Sequence, residues 1–120
     1  MEPLRATGLD VSLDVCGERR ALPASVEASL FRVVQEALTN AVRHGDAHQV
    51  RIALEYGTDR VAACVDDDGS GAGGDRPSGG RGLTGMRERI ALLGGDLQAG
   101  PRPAGGFAVR ATVPLERDHQ

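Results

Sequence analysis

Apolar and polar residues alternate along several short stretches of the chain. Val11, Leu13 and Val15 alternate with Ser12, Asp14 and Cys16, the period expected of a half-buried strand whose successive side chains point to opposite faces. After Pro23 the period changes. Val26, Leu30, Val33, Val34, Ala37, Leu38, Ala41 and Val42 follow a helical repeat that runs to Gly45, a residue suited to capping a helix C-terminus. Alternation returns at Val50, Ile52 and Leu54 and again at Val61, Ala63 and Val65. The turn-like Gly57-Thr58-Asp59 between them predicts an antiparallel hairpin.

From Asp66 to Gly82 the chain reads DDDGSGAGGDRPSGGRG, a long Gly-rich loop of the kind that is functional or mobile. Leu83, Met86, Ile90 and Leu93 then predict a second helix, stopped by Gly94-Gly95. A short strand over 96–99 and an alternating one through Phe107, Val109, Ala111 and Val113 complete the pattern ahead of a charged tail, residues 116–120. Two helices on one face of a mostly antiparallel mixed sheet make an α/β two-layer sandwich, or α+β fold. With 120 residues the chain has the size of one domain, 1–120.

Composition removes whole classes of function. The net charge is −3 and only Phe31, Tyr56 and Phe107 are aromatic, so there is neither the basic field nor the stacking platform that nucleic acid requires. Every Lys-or-Arg position is an Arg, which rules out the phosphate-binding P-loop and its obligatory Lys. No apolar run spans a bilayer and no secretion signal opens the chain, so no direct membrane contact and a cytoplasmic location are expected. Cys16 and Cys64 lie far apart without metal-ligand spacing and read as reduced structural thiols.

Three segments carry candidate chemistry. On the long helix, Glu36 and Asn40 stand one turn apart and Arg43 and His44 continue the same edge. Such a row is a solvated flank or a ligand-binding edge; an amide beside a core needs partners, and its oxygen suits a metal ion or phosphate. The strand through Val65 runs into Asp66-Asp67-Asp68-Gly69-Ser70-Gly71, whose acids form either a solvated turn or a specificity group, and whose glycines admit a close approach to the backbone. The run does not match the calcium-loop pattern of an EF-hand. Gly80, Gly82 and Gly85 spell G-x-G-x-x-G but follow a loop instead of a strand, without an acid about 20 residues on, so a dinucleotide fingerprint is rejected. A Gly-rich loop feeding a helix N-terminus still offers backbone N–H groups to a phosphate, or is a plain linker with a cap.

Together the three segments resemble the motifs of two-component sensor histidine kinases. Glu36-Ala-Leu-Thr-Asn40-Ala-Val-Arg43-His44 resembles their N box, Asp67-Asp-Gly69-Ser-Gly71 their first glycine box, and Gly80-Arg-Gly82-Leu83-Thr84-Gly85-Met86-Arg-Glu88-Arg89, continuing through Leu92-Leu93-Gly94-Gly95, their second. The last stretch is most similar to the subfamily paired with helix-turn-helix response regulators. The resemblance, over about residues 9–115, implies the Bergerat ATP-binding fold, ATP and Mg²⁺ as cofactors, and supply of the γ-phosphoryl group for histidine autophosphorylation. It implies that Asn40 coordinates Mg²⁺, that Glu36 orients a water or assists the acceptor histidine, and that Arg43 and His44 lie near phosphates or ribose. Asp67 would accept the adenine amino hydrogen, Gly69 and Gly71 would admit the base, residues 72–81 would form an ATP lid, and Gly80, Gly82, Leu83 and Thr84 would close around the triphosphate.

The family's phosphoacceptor histidine lies on an upstream dimerisation helix pair, and no such pair is read before Leu9. The chain is therefore expected to be a monomeric catalytic fragment. Its partners would be the dimerisation and phosphoacceptor domain of its kinase and, indirectly, a response regulator. A Thr common in the family's late Gly-Gly-Thr turn is replaced by Phe107. Two rival readings are an anti-sigma-factor serine kinase of the same fold and a non-catalytic binding module.

Overall fold

Each alternating stretch forms a strand in the computed structural model, which describes residues 10–43, 48–69, 81–103 and 105–115. The strands are β1 (Asp10–Cys16), β2 (Gln49–Tyr56), β3 (Arg60–Asp67), β4 (Asp96–Pro101) and β5 (Phe107–Pro114), and the helices are α1 (Ala24–Arg43) and α2 (Arg81–Leu92). The five strands form one sheet in the order β1-β2-β3-β5-β4. Only β1 and β2 are parallel, because α1 carries the chain back across the sheet between them; the other neighbours are antiparallel.

Helix α1 begins after Pro23, whose carbonyl accepts the Glu27 N–H at 3.0 Å. Glu27 also sets a carboxylate in the first turn, where the helix dipole favours negative charge. Val26, Leu30, Val33, Val34, Ala37, Leu38 and Ala41 form the buried stripe of α1. They share one core with Val61, Ala63 and Val65 of β3, Val109, Ala111 and Val113 of β5, and Met86 and Ile90 of α2. Helix α1 packs over β2, β3 and β5, α2 packs over β4 and β5, and the helices touch each other, so both lie on one face.

Helix α2 ends in hydrogen bonds from Gly95 N–H to the Ile90 carbonyl and from Gly94 N–H to the Ala91 carbonyl, both 2.9 Å, with Gly94 at φ 81°. These are the two bonds of a Schellman stop. A Cβ on Gly95 would run into the Thr112 carbonyl of β5, so the end of the helix rests directly on the sheet.

The expectations fail in three places. Strand β1 is not half-buried: Leu13 is 58% and Val15 40% exposed, because β1 is an edge strand beyond the cover of α1. Val42 lies off the buried stripe of α1 and is 43% exposed. The stretch from Asp66 to Gly82 is not all loop, since Asp66 and Asp67 are the last residues of β3, and Arg81 and Gly82 the first of α2. The expected cap Gly45 and the expected lid apart from Arg81 lie outside the described residues.

Candidate functional site

The three consecutive acids at the exit of β3 take three different environments, because successive strand residues face opposite ways. Asp66 is half-buried on the face away from the helices. Asp67 faces the helix side and is 4% exposed. Its Oδ1 accepts the Gly69 N–H at 2.8 Å, which folds the chain into a tight Asx turn. Gly69 is itself buried. Asp68 has left the strand, and its Oδ1 accepts the N–H groups of His48 and Gln49, both at 2.9 Å. Those two N–H groups, Gln49 first, hold the Asp68 carboxyl below the usual aspartate range. The start of β2 is thereby tied to the end of β3.

The β4–β5 hairpin backs this turn. Asp67 lies opposite Phe107 in the ladder, and Phe107 is buried in the core, so an apolar ring stands beside the carboxylate on the same face. Gly106, at φ 94°, sits against the β3 exit, where an added Cβ would strike the Asp67 carbonyl. Arg102 Nη1 donates to that same carbonyl at 3.1 Å. Sequence reasoning missed both Asp68 as a clamp and Arg102. Their partners are backbone atoms 19 to 35 residues away in the chain, which leave no residue-type signature.

Glu36 and Asn40 are both half-buried on α1, one turn apart, on the helix that packs against β3 and α2. Arg43 is the last residue of that helix; its side chain, His44, Gly71 and Gly80 lie outside the described residues. Gly82, Leu83 and Thr84 occupy the first turn of α2, with Thr84 exposed. The first N–H groups of a helix have no intrahelical acceptor, so this turn presents donors. Gly85 lies inside α2, and among the described residues nothing stands within 4 Å of where a Cβ would go, unlike the close-packing glycine of a dinucleotide fingerprint. Asp67 and Gly69 are thus brought together directly, and the elements carrying the other two motifs pack on each other. Among the described residues no cluster of three or more His, Cys, Asp or Glu could hold a metal ion.

A second polar cluster crosses the opposite face of the sheet. Arg110 of β5 donates from Nη2 to Glu55 Oε1 at 3.0 Å and from Nη1 to Cys64 Sγ at 2.9 Å. Burial raises the Cys64 thiol above the usual range, partly opposed by the Arg110 charge. Cys16 and Cys64 are both free thiols, as expected.

Residues 25–117 match the profile of the histidine kinase-, DNA gyrase B- and HSP90-like ATPases. The chain is 34% identical over 110 residues to sensor histidine kinase YxjM of Bacillus subtilis, covering 91% of this chain and 27% of that protein. It is 40% identical over 94 residues to the signal transduction histidine-protein kinase/phosphatase UhpB of Salmonella typhimurium, covering 78% of this chain and 19% of that one. The chain therefore spans about a quarter of the length of such relatives. Among solved structures, the ATP binding domain of PrrB from Mycobacterium tuberculosis superposes with a TM-score of 0.64 at 28% identity, covering 91% of this chain and 82% of that one. A blue-light activated histidine kinase domain from Erythrobacter litoralis shares the fold with a TM-score of 0.69 at 21% identity, over 95% of this chain and 57% of that one.

Proposed function

The chain belongs to the histidine kinase-, DNA gyrase B- and HSP90-like ATPases, and from that premise we propose that it is the ATP-binding catalytic domain of a sensor histidine kinase, supplying the γ-phosphoryl group to a histidine. The observation that carries this reading is the buried Asp67 carboxylate, turned toward the helix layer at the end of a central strand and beside a buried glycine. A carboxylate there suits adenine, whose exocyclic amino group donates a hydrogen bond. Guanine presents a carbonyl at the same place, and two acceptors would then face each other.

The remaining groups suit a triphosphate. The first turn of α2, with Gly82, Leu83 and Thr84, offers backbone N–H groups and the positive end of a helix dipole to anionic oxygens. Gly69 and Gly71 leave room for the base, and Gly80 precedes the phosphate-binding turn. Arg43, the last residue of α1, and His44, which follows it in the sequence, would supply cationic or hydrogen-bonding groups for phosphate or ribose. The hard amide oxygen of Asn40 fits Mg²⁺, which takes one or two protein oxygens and completes its shell with phosphate and water. Asn40 would hold the ion, which would supply charge neutralisation for the phosphoryl oxygens. Glu36, one turn before Asn40 on the same helix, would orient a water or assist the acceptor histidine. Positioning and charge compensation dominate phosphoryl transfer, so little covalent chemistry falls to the protein.

In this reading the chain works as one domain with residues 72–81 as its lid. The acceptor histidine lies on the dimerisation and phosphoacceptor domain of the parent protein, and a response regulator receives the phosphoryl group afterwards. Among the described residues no helix is long and apolar enough to cross a membrane, and the free thiols suit a cytoplasmic setting. The test is a calorimetric titration of the chain with ATP and Mg²⁺. Binding is expected, and Asp67→Ala should weaken it about tenfold or more, the loss of a hydrogen bond to a charged group at roughly 1.5–3 kcal/mol. Unchanged affinity in that variant removes Asp67 from the site.

A further inference from the structure

We propose that Arg102 is a positioning residue for base recognition: from the β4–β5 hairpin its guanidinium fixes the 67–68 peptide and thereby aims the Asp67 carboxylate. The inference rests on the reading of Asp67 as the adenine acceptor. The 67–68 peptide is held at both ends, with its carbonyl accepting Arg102 Nη1 at 3.1 Å and its N–H donating to the Gln49 carbonyl at 3.2 Å. A peptide unit is planar and includes the Asp67 Cα, so holding both of its polar groups, with the preceding residues of β3 held in the ladders on either side, sets the direction in which the side chain leaves the backbone. The bond from Gly69 N–H to Oδ1 at 2.8 Å then sets the carboxylate itself. Backbone and side chain are thus fixed in sequence, and the first of these restraints comes from another hairpin.

Arg102 is itself delivered in a defined place. Its N–H donates to the Gly106 carbonyl and its carbonyl accepts the Gly105 N–H, both at 3.0 Å, which closes the hairpin tip. Gly106, lacking a Cβ and at φ 94°, lets that tip come up against the same Asp67 carbonyl. Arg102 is half-buried, and a guanidinium is permanently charged, so its bond to the carbonyl is charge-assisted at every working pH. A Lys in its place retains a charged donor without the planar fork.

Three variants, Arg102→Ala, Arg102→Lys and Asp67→Ala, are titrated with ATP and with GTP by calorimetry, and their melting temperatures are recorded. The expected result is that Arg102→Ala weakens ATP binding about threefold to tenfold while GTP binding changes little, so that the ATP-over-GTP preference falls. Arg102→Lys should recover part of that preference. A wild-type preference in Arg102→Ala overturns the inference, and so does an equal loss for both nucleotides that tracks a lowered melting temperature, the signature of a plain inter-strand tie. If Asp67→Ala binds ATP as the parent chain does, the adenine reading itself fails and takes the inference with it. If Asp67→Ala is impaired and Arg102→Ala is not, only the positioning role falls.

Discussion

Strands β1 and β3 carry similar alternation, DVSLDVC against RVAACVDD, and end in opposite conditions. β3 lies in the middle of the sheet under α1, with every residue of its helix-facing side buried and only Ala62 buried on the other; β1 lies at the edge with six of its seven residues exposed. The residue on which nucleotide recognition is proposed to rest, Asp67, stands at the end of the better-held strand. Neighbouring strands fix its backbone through the ladders to Val50 and Phe107, and Gly106, Arg102 and Asp68 add restraints at the exit. The contrast teaches that a buried carboxylate is kept in one geometry by redundancy around its backbone, whereas an edge strand needs only its hydrogen bonds and tolerates apolar side chains in water.

The contrast can be broken by substitution. The largest effect is expected from Phe107→Ala, which empties the core position opposite Asp67 and should cost about 3–5 kcal/mol in denaturant unfolding. A cost near zero would mean that the β3 exit is not supported from β5. Gly106→Ala should follow, at about 1–3 kcal/mol for strained backbone, because the new Cβ meets the Asp67 carbonyl and φ stays positive. It should also weaken ATP binding, since the displaced carbonyl belongs to the recognition residue; intact affinity would show that the exit has slack.

Asp68 supplies a pH test. Its folded-state pKa lies below the unfolded value of about 3.9, because the N–H groups of Gln49 and His48 favour the charged form. Its contribution is therefore fully present above the unfolded value and lost as pH falls through the depressed one. Removing the titration with Asp68→Asn should flatten the acid limb of the stability curve below about pH 4 relative to the parent. Identical curves would show that the clamp does not couple to stability. The smallest change is expected at the edge, where Leu13→Thr and Val15→Thr should each fall within about 0.5 kcal/mol of the parent. A larger loss in either would show β1 to be packed after all.

Much of this architecture was legible because it depends on residue type at fixed spacing. The helical repeat from Val26 to Ala41, the hairpin around Gly57 and the double-glycine stop at Gly94-Gly95 each announce a local geometry that the fold adopts. Family membership was legible for a similar reason, since the three glycine- and amide-bearing segments occur in order. Which strand lies at an edge is not local information, so the alternation of β1 read as half-burial although Leu13 is more than half exposed. Asp68 and Arg102 were invisible for the complementary reason. Asp68 read as one acid in a run, and Arg102 as one Arg among 14, because backbone acceptors and donors look alike at every position.

The polar cluster on the far face of the sheet has a use in protein chemistry. A thiolate, not a thiol, adds to a maleimide, so a thiol with a raised pKa that is also half-covered reacts slowly at neutral pH. Cys64 meets both conditions, whereas Cys16 is exposed at the end of the edge strand. Brief treatment of the unaltered chain should therefore attach a fluorophore at Cys16 in preference to Cys64. Cys16 pairs with Glu55, at the other end of β2 from the residues that Asp68 grips, roughly 20 Å along the strand at about 3.3 Å per residue. The label would report on the molecule from a place where it does not crowd the nucleotide.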